Sequence, residues 1–212
     1  MRYRWPRGEE LWVRHGAGHP QQILIIEPLF EEKNRTRRLI ADIMRGLDGL
    51  QIGSTLPDLP GTGESLIDIA DVRLDDWRSA LSAAADLINP TTTVSFRGGA
   101  LFDDHAPSAW RFAPETGARI VRDLKRSQLA SAAAVPLYAG HALSDTFLAE
   151  LDLLAPPSRD NLRIVRLESD AAEADTKVVG TPLWRRAEPG DDAALANAIV
   201  ADIASWMSQC AA

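Results

Sequence analysis

The sequence predicts an α/β protein with a mostly parallel β-sheet flanked by helices. Short apolar stretches rich in β-branched residues alternate along the chain with longer stretches in which apolar residues recur every three or four positions. This alternation of strands and helices is typical of βαβ units joined by right-handed crossovers. With 212 residues, 45% of them hydrophobic, the chain is long enough to bury one sizeable core. We therefore expect a single domain over residues 1–212.

The first half of the chain contains three predicted strands and two predicted helices. In chain order they are a short edge strand at residues 10–14, a strand at 23–26, a helix at 34–47, a core strand at 50–57 and a helix at 76–89. Residues 23–26 are continuously apolar, which indicates a strand buried on both faces of a parallel sheet. In the first helix, Leu39, Ile43 and Leu47 recur at helical spacing.

The second half continues the same alternation. In chain order it predicts strands at residues 91–96 and 110–113, helices at 115–133 and 144–154, strands at 162–167 and 177–179, and a final helix at 191–207. Ser144 is the expected N-cap of its helix. Strong polar–apolar alternation marks the strand at 162–167, and Leu195, Ile199 and Ile203 mark the last helix.

Composition excludes several classes of function. The net charge of −7 argues against a nucleic-acid partner, because no broad basic face is expected. The one cysteine, Cys210, allows no internal disulfide, which fits a reducing compartment. The longest strongly apolar run, residues 23–26, is far too short for membrane insertion, and no signal peptide begins the chain. We expect a cytoplasmic protein.

Residues 91–99 form the most informative stretch. A β-branched run is followed by Gly98 and Gly99 and then by Ala100, which predicts a strand, a sharp turn and a helix. The α/β-hydrolases carry their nucleophile at such a turn, in the pattern Gly-x-Ser-x-Gly. Aligned on residues 95–99, this pattern places Arg97 at the nucleophile position. A guanidinium stays protonated and has no lone pair with which to attack.

The other members of a serine-hydrolase triad are incomplete as well. Glu168 and Asp170 follow the strand at 162–167, where the triad acid is expected. Residues 180–187, where the histidine is expected, contain Trp184 and Arg185 instead. We predict no orthodox Ser-His-Asp mechanism. The candidates for an unorthodox one are Arg97, Asp170 and His105, the last with Asp103 and Asp104 beside it.

Other side chains are better explained by structure. Ser95 lies within the strand, where its hydroxyl would be packed, and Ser65 is expected to bond its local backbone. His15 and His19 are separated by glycines and lack the cysteine or carboxylate neighbours of a metal site. The loop at residues 58–63 lacks the third glycine and the immediate helix of a nucleotide site, so a structural turn is preferred. No metal and no cofactor are predicted.

Three stretches, residues 23–38, 56–65 and 179–184, resemble the exosortase A system-associated α/β-hydrolases. The elbow of that group also tends to carry arginine where serine is expected, which matches Arg97. The resemblance covers roughly residues 20–209 and implies an α/β-hydrolase-like fold. The relatives are longer, so it also implies a reduced cap. It further implies an accessory role near exopolysaccharide production and the sorting of surface proteins.

Two interpretations of Arg97 stay open. At a helix N-terminus its guanidinium could hold a carboxylate or phosphate bidentately. Alternatively it pairs internally with Glu31, Glu32 or Glu168 and closes the site. An open pocket follows from the first interpretation and a closed one from the second. The predicted ligand-binding residues are Glu31, Glu32, Asn34, Arg97, Gly98 and Trp184.

The sequence therefore favours a non-catalytic or divergent protein that acts as a binding or accessory component of an exosortase-linked pathway. The alternative is a hydrolase of ester or thioester type with an unorthodox site around Arg97. The predicted ligand is a small anionic or acyl molecule. Apolar surface left by the reduced cap could support a homodimer.

Overall fold

A computed structural model describes residues 1–129 and 137–210. Its strands are β1 (Arg2–Trp5), β2 (Gly8–His15), β3 (Gln21–Ile26), β4 (Ile52–Pro57), β5 (Thr92–Phe96), β6 (Ser108–Phe112), β7 (Leu162–Leu167) and β8 (Thr176–Val178). Its α-helices are α1 (Glu31–Gly49), α2 (Leu74–Ile88), α3 (Gly117–Leu129), α4 (Asp145–Asp152) and α5 (Ala193–Cys210). Three short 3₁₀ helices lie at Ile69–Asp71, Arg97–Phe102 and Leu183–Arg185.

The eight strands form one mixed sheet in the order β1-β2-β4-β3-β5-β6-β7-β8. Strand β2 pairs antiparallel with both β1 and β4. All the other pairings, along the order β4-β3-β5-β6-β7-β8, are parallel. The predicted α/β class with a mostly parallel sheet is confirmed. Between β6 and β7 the described chain holds only α3 and α4 as helices, which agrees with the expected reduced cap.

Each face of the sheet carries its own hydrophobic core. Leu24 and Ile26 point toward the side covered by α2, α3 and α4, whereas Ile23 and Ile25 point toward α1 and α5. Because successive side chains of a strand alternate between faces, a strand at the centre of such a sheet is apolar at every position. This arrangement explains the continuous apolar run that predicted β3. No helix among residues 1–129 and 137–210 is long and apolar enough to cross a membrane.

The predicted edge strand is in fact second from the edge, because β1 lies outside it. Arg2–Trp5 alternates exposed arginines with the buried rings of Tyr3 and Trp5. The Tyr3 ring stacks on Trp12 of β2, and the Tyr3 hydroxyl donates a hydrogen bond to the carbonyl of Asp58 at 2.7 Å. Four residues at the chain start are too few for the alternation to be recognised in the sequence alone.

The helix expected after the strand at 91–96 is a short 3₁₀ helix and not an α-helix. Only a six-residue 3₁₀ helix, Arg97–Phe102, follows β5, and the chain then returns to the sheet at β6. Asp103 ends this turn with a fully buried carboxylate that accepts hydrogen bonds from Arg111 at 2.7 and 2.8 Å and from Ser95 at 3.0 Å. This ion pair ties the turn to β6, which leaves no room for a longer helix between them.

Most other boundaries agree with prediction within a few residues. Ser144 caps α4 by accepting a hydrogen bond from the amide of Phe147. Gly61 and Gly63 have the positive φ values expected of a structural turn, 77° and 57°. The helix predicted at 115–133 is observed as α3, and the last part of the predicted range, 130–133, lies outside the described residues.

Candidate functional site

The candidate site lies at the carboxyl ends of the parallel strands. Arg97 directly follows β5, and α1 begins five residues after β3. Glu115 comes after β6, Asp170 after β7, and Trp184 after β8. Because parallel strands end at one edge of the sheet, these segments meet there, and ligands of open α/β sheets bind at this edge.

The backbone at Arg97 has the strained conformation of a nucleophile elbow. Its φ is 53°, in the left-handed region that non-glycine residues rarely adopt. The next two glycines permit the close packing that this turn needs. A Cβ on Gly99 would lie 2.6 Å from the carbonyl oxygens of Ile26 and Glu27, and one on Gly98 would lie 2.7 Å from the Ile120 side chain. The fold thus holds the tip of the elbow in place, with an arginine there.

The Arg97 guanidinium is held by two glutamates and one carbonyl. Its Nε and Nη2 each donate to one oxygen of Glu32 at 3.1 Å, and its Nη1 donates to Glu115 at 2.9 Å and to the carbonyl of Ala113 at 3.0 Å. The charge also lies 4.6 Å from the centre of the Trp184 ring, a cation–π contact. The side chain is only 9% exposed.

These contacts agree with the interpretation that Arg97 pairs with acidic residues of the protein itself. Of its three predicted partners the structure uses Glu32, and it adds Glu115, which the sequence analysis did not identify. The contacts do not support the alternative interpretation, in which Arg97 holds an anion at a helix N-terminus. The helix there is a 3₁₀ helix of only six residues, which supplies no extended macrodipole.

Pairing does not close the site, because a cavity of about 350 Å³ lies beside Arg97. Its apolar lining is Leu29, Phe30, Ile120, Leu124, Ala139 and Trp184. Its charged lining is Glu31, Glu32, Arg35, Arg97, Glu115, Arg119, Asp123 and Arg185. This volume falls within the range of small-molecule sites.

A second cavity of about 280 Å³ lies on the β7 side of Arg97. It is more polar and includes Arg166, Ser169 and Asp170 in its lining. The residues that line both cavities are Arg97, Glu115, Arg119, Trp184 and Arg185. These five residues therefore form the wall between the two adjoining cavities.

The structure brings most of the predicted ligand-binding residues to the larger cavity. Glu31, Glu32, Arg97, Gly98 and Trp184 all line it. Asn34 is exposed on α1 and is not part of the lining of either cavity.

The other two candidates for an unorthodox mechanism lie apart from each other. Asp170 lines the smaller cavity, where Arg166 donates to it at 2.8 Å. Burial opposes its ionisation, but the amide of Ala172 and Arg166 outweigh that effect and lower the pKa of Asp170. His105 lines neither cavity. Its nearest carboxylate oxygen, on Asp104, is 3.8 Å away, and burial lowers its pKa.

Ser95 and Ser65 each donate a hydrogen bond to a carboxylate. Ser95 donates to Asp103 at 3.0 Å inside the sheet, and Ser65 donates to the buried Glu10 at 3.0 Å. No hydrogen bond among residues 1–129 and 137–210 joins a serine to a histidine. In the same part of the chain no three His, Cys, Asp or Glu side chains are grouped to hold a metal ion.

Sequence reasoning missed Glu115, Arg119 and the apolar wall. Glu115 follows β6 by three residues, so the rule that strand ends converge at one edge could have identified it. No local signal marked Leu29 or Ile120, because their contact with the cavity depends on the packing of α3 against the elbow.

His141 lies near this site, where its ring packs against a residue of the cavity wall. Its ring packs 5.6 Å from Phe30, and burial lowers its pKa despite the opposing field of Glu31. The unfolded chain therefore takes up this proton first, at a pH near 6.5, so we expect stability to fall as pH drops below that value. Urea unfolding between pH 7.5 and 5.0 should show a smaller loss in His141→Phe than in the natural protein. Parallel losses in the two proteins would contradict this assignment.

No protein-family model matches the chain, and no curated protein matches its sequence. Solved structures do resemble it. Mouse α/β-hydrolase domain-containing protein 10 has a TM-score of 0.69 at 10% identity, over 99% of this chain and 98% of that one. A thermophilic esterase from Thermogutta terrifontis has a TM-score of 0.59 at 11% identity, over 99% and 98%. AqdC, a protein that recognises and ring-cleaves the Pseudomonas quinolone signal, has a TM-score of 0.66 at 9% identity, over 99% of both chains.

At these identities the likeness establishes the fold and not the reaction. The chain has the α/β-hydrolase fold, in agreement with its strand order. The neighbours include an esterase and a ring-cleaving protein, so the fold alone selects no chemistry.

Proposed function

We propose that this α/β-hydrolase-fold protein is a non-catalytic binding protein whose ligand occupies the cavity beside Arg97. The observation that carries the proposal is the double pairing of the elbow guanidinium with Glu32 and Glu115. An arginine in that position can neither attack a carbonyl nor accept a proton. The adjoining 350 Å³ space nevertheless stays large enough for a small molecule.

The surroundings of the elbow support the same conclusion. In the serine-hydrolase mechanism the nucleophile lies within hydrogen-bond reach of a general base. Asp170, at the position of the triad acid, is bonded to Arg166, and Trp184 and Arg185 lie where a histidine would follow the last strand. Trp184 instead packs against Arg97.

We expect neither the natural protein nor Arg97→Ser to react with a fluorophosphonate probe or to hydrolyse p-nitrophenyl esters. The serine variant places a hydroxyl at the elbow without supplying a histidine to activate it. In-gel fluorescence after probe treatment and absorbance assays of ester turnover measure this outcome. Heat-denatured protein sets the background, and Arg97→Met controls for the loss of the guanidinium. Labelling of the natural protein that disappears in Arg97→Met would contradict the proposal.

That contradictory result would instead support the alternative, a hydrolase of ester or thioester type with an unorthodox site. The observation in its favour is that Arg97 and Asp170 line the same 280 Å³ cavity. Turnover should then also depend on Asp170 and His105. The variants Asp170→Asn and His105→Gln test the contribution of each residue separately.

We further propose that the protein acts as a cytoplasmic accessory component of an exosortase-linked surface pathway. Support comes from the three stretches that resemble exosortase A system-associated hydrolases, residues 23–38, 56–65 and 179–184. Deletion of its gene should reduce exopolysaccharide yield or surface-protein sorting, and the His105→Gln variant, altered at a candidate catalytic residue outside both cavities, should restore the phenotype if no catalysis is involved. An unchanged phenotype after deletion would argue against this assignment.

A further inference from the structure

Most of the charged side chains around the two cavities are paired with another group of the protein. Arg97 is shared between Glu32 and Glu115, and Arg166 is paired with Asp170. Arg35 donates to the carbonyl of Trp184 at 3.0 Å, and Arg119 lies 3.4 Å from Glu115. Glu31 and Asp123 lie 3.9 and 3.4 Å from arginine nitrogens, so every lining carboxylate has a cation within 4 Å.

Arg185 is the exception. Among residues 1–129 and 137–210 it makes no ion pair and no side-chain hydrogen bond, although it lines both cavities. Its backbone is nonetheless fixed: its amide donates to Pro182 at 2.9 Å, and the preceding residues Leu183 and Trp184 are buried. An exposed arginine on a fixed backbone therefore lies where the two cavities meet, with guanidinium donors that no group in the described part of the chain uses.

We infer that Arg185, and not Arg97, receives the charged end of the ligand, and that the ligand is an amphipathic organic anion. Its carboxylate or phosphate binds the Arg185 guanidinium. Its apolar chain or ring lies in the larger cavity against Leu29, Phe30 and Ile120. This inference rests on the proposed binding function and adds the chemical class of the ligand.

A cationic ligand fits the site less well. The two carboxylates beside Arg97, those of Glu32 and Glu115, already bind arginines, which lowers their attraction for a further cation. An anion, in contrast, meets free N–H donors at Arg185 without breaking a contact. A neutral apolar ligand would use the wall of the larger cavity alone and would leave the arginine in water.

Octanoate and octanol provide a matched pair of probes, because they share a chain and differ in the charged head. Isothermal titration at pH 7.5 should give tighter binding of octanoate than of octanol to the natural protein. Arg185→Gln should weaken octanoate binding about five- to tenfold and leave octanol binding unchanged. Arg186→Gln is the matched control, since Arg186 is the exposed neighbour that lines neither cavity, and it should bind both probes normally. Octyl phosphate distinguishes a phosphate from a carboxylate head by its relative affinity.

Ile120→Trp separates failure of this inference from failure of the binding function. Ile120 lines only the larger cavity, so a larger side chain there should abolish binding of all the octyl probes. If Ile120→Trp abolishes binding but Arg185→Gln does not change it, the cavity binds ligands and the assignment of Arg185 is overturned. If none of the octyl probes binds the natural protein, the anion inference is overturned together with the binding function.

Discussion

Replacement of Arg111 by methionine is expected to lower the free energy of unfolding by about 3–5 kcal/mol, because it leaves a buried carboxylate without its cation. Asp103 is fully buried, and Arg111 is only 3% exposed. Two of the hydrogen bonds that Asp103 accepts come from Arg111, which also donates to the carbonyl of Pro157 at 2.7 Å. Urea unfolding followed by circular dichroism measures the loss.

The double variant Asp103→Leu with Arg111→Met is the matched control. Replacing both partners of a buried ion pair with apolar groups is often nearly neutral, so the double variant should be more stable than the single one. Equal loss in the two variants would show that packing, and not the unpaired charge, governs the effect. Such a result would also weaken the explanation for the short turn after the elbow.

Trp77→Ala is expected to cost about 3–5 kcal/mol, because it opens a large cavity in the centre of one core. The ring is completely buried and packs against Phe30, Phe102 and Phe147, with centroid distances of 5.1–5.9 Å. Its Nε1 also donates to the carbonyl of Pro60 at 2.9 Å. Thermal and urea unfolding should both report the loss.

Trp77→Phe provides a graded comparison, since it retains an aromatic ring but removes the hydrogen bond to Pro60. We expect a loss of about 1–2 kcal/mol for this variant. Phe30 holds a strained backbone, with φ 56° and ψ −133°, directly before α1, and Trp77 is one of the rings that keep it there. If alanine costs no more than phenylalanine at this position, the aromatic cluster does not support that turn.

The fold was largely predictable because its signals are local. Periodicity within single segments located β3, α1 and α5, and the spacing of Arg97, Gly98 and Gly99 located the elbow. The 3₁₀ form of the helix after the elbow was not predicted, because the Asp103–Arg111 pair joins the end of this turn to the neighbouring strand β6. No local pattern encodes that contact.

The candidate site was predictable only in part, for the same reason. Glu32 follows β3, and β3 pairs with β5, so its position near Arg97 could be inferred from adjacency of strands. Helix α1 begins at Glu31, three residues before the predicted start. Its helical phase turns Glu31, Glu32 and Arg35 toward the cavity and Asn34 toward solvent.

The bridge made by the Arg97 guanidinium joins α1, the tip of β5 and the loop after β6. A cavity wall connected in this way is already ordered before any ligand binds. Immobilising a flexible side chain on association typically costs about 0.5–1.5 kcal/mol, and here that loss of entropy is incurred during folding instead. An arginine cross-link at the tip of the elbow thus makes the cavity wall preorganised.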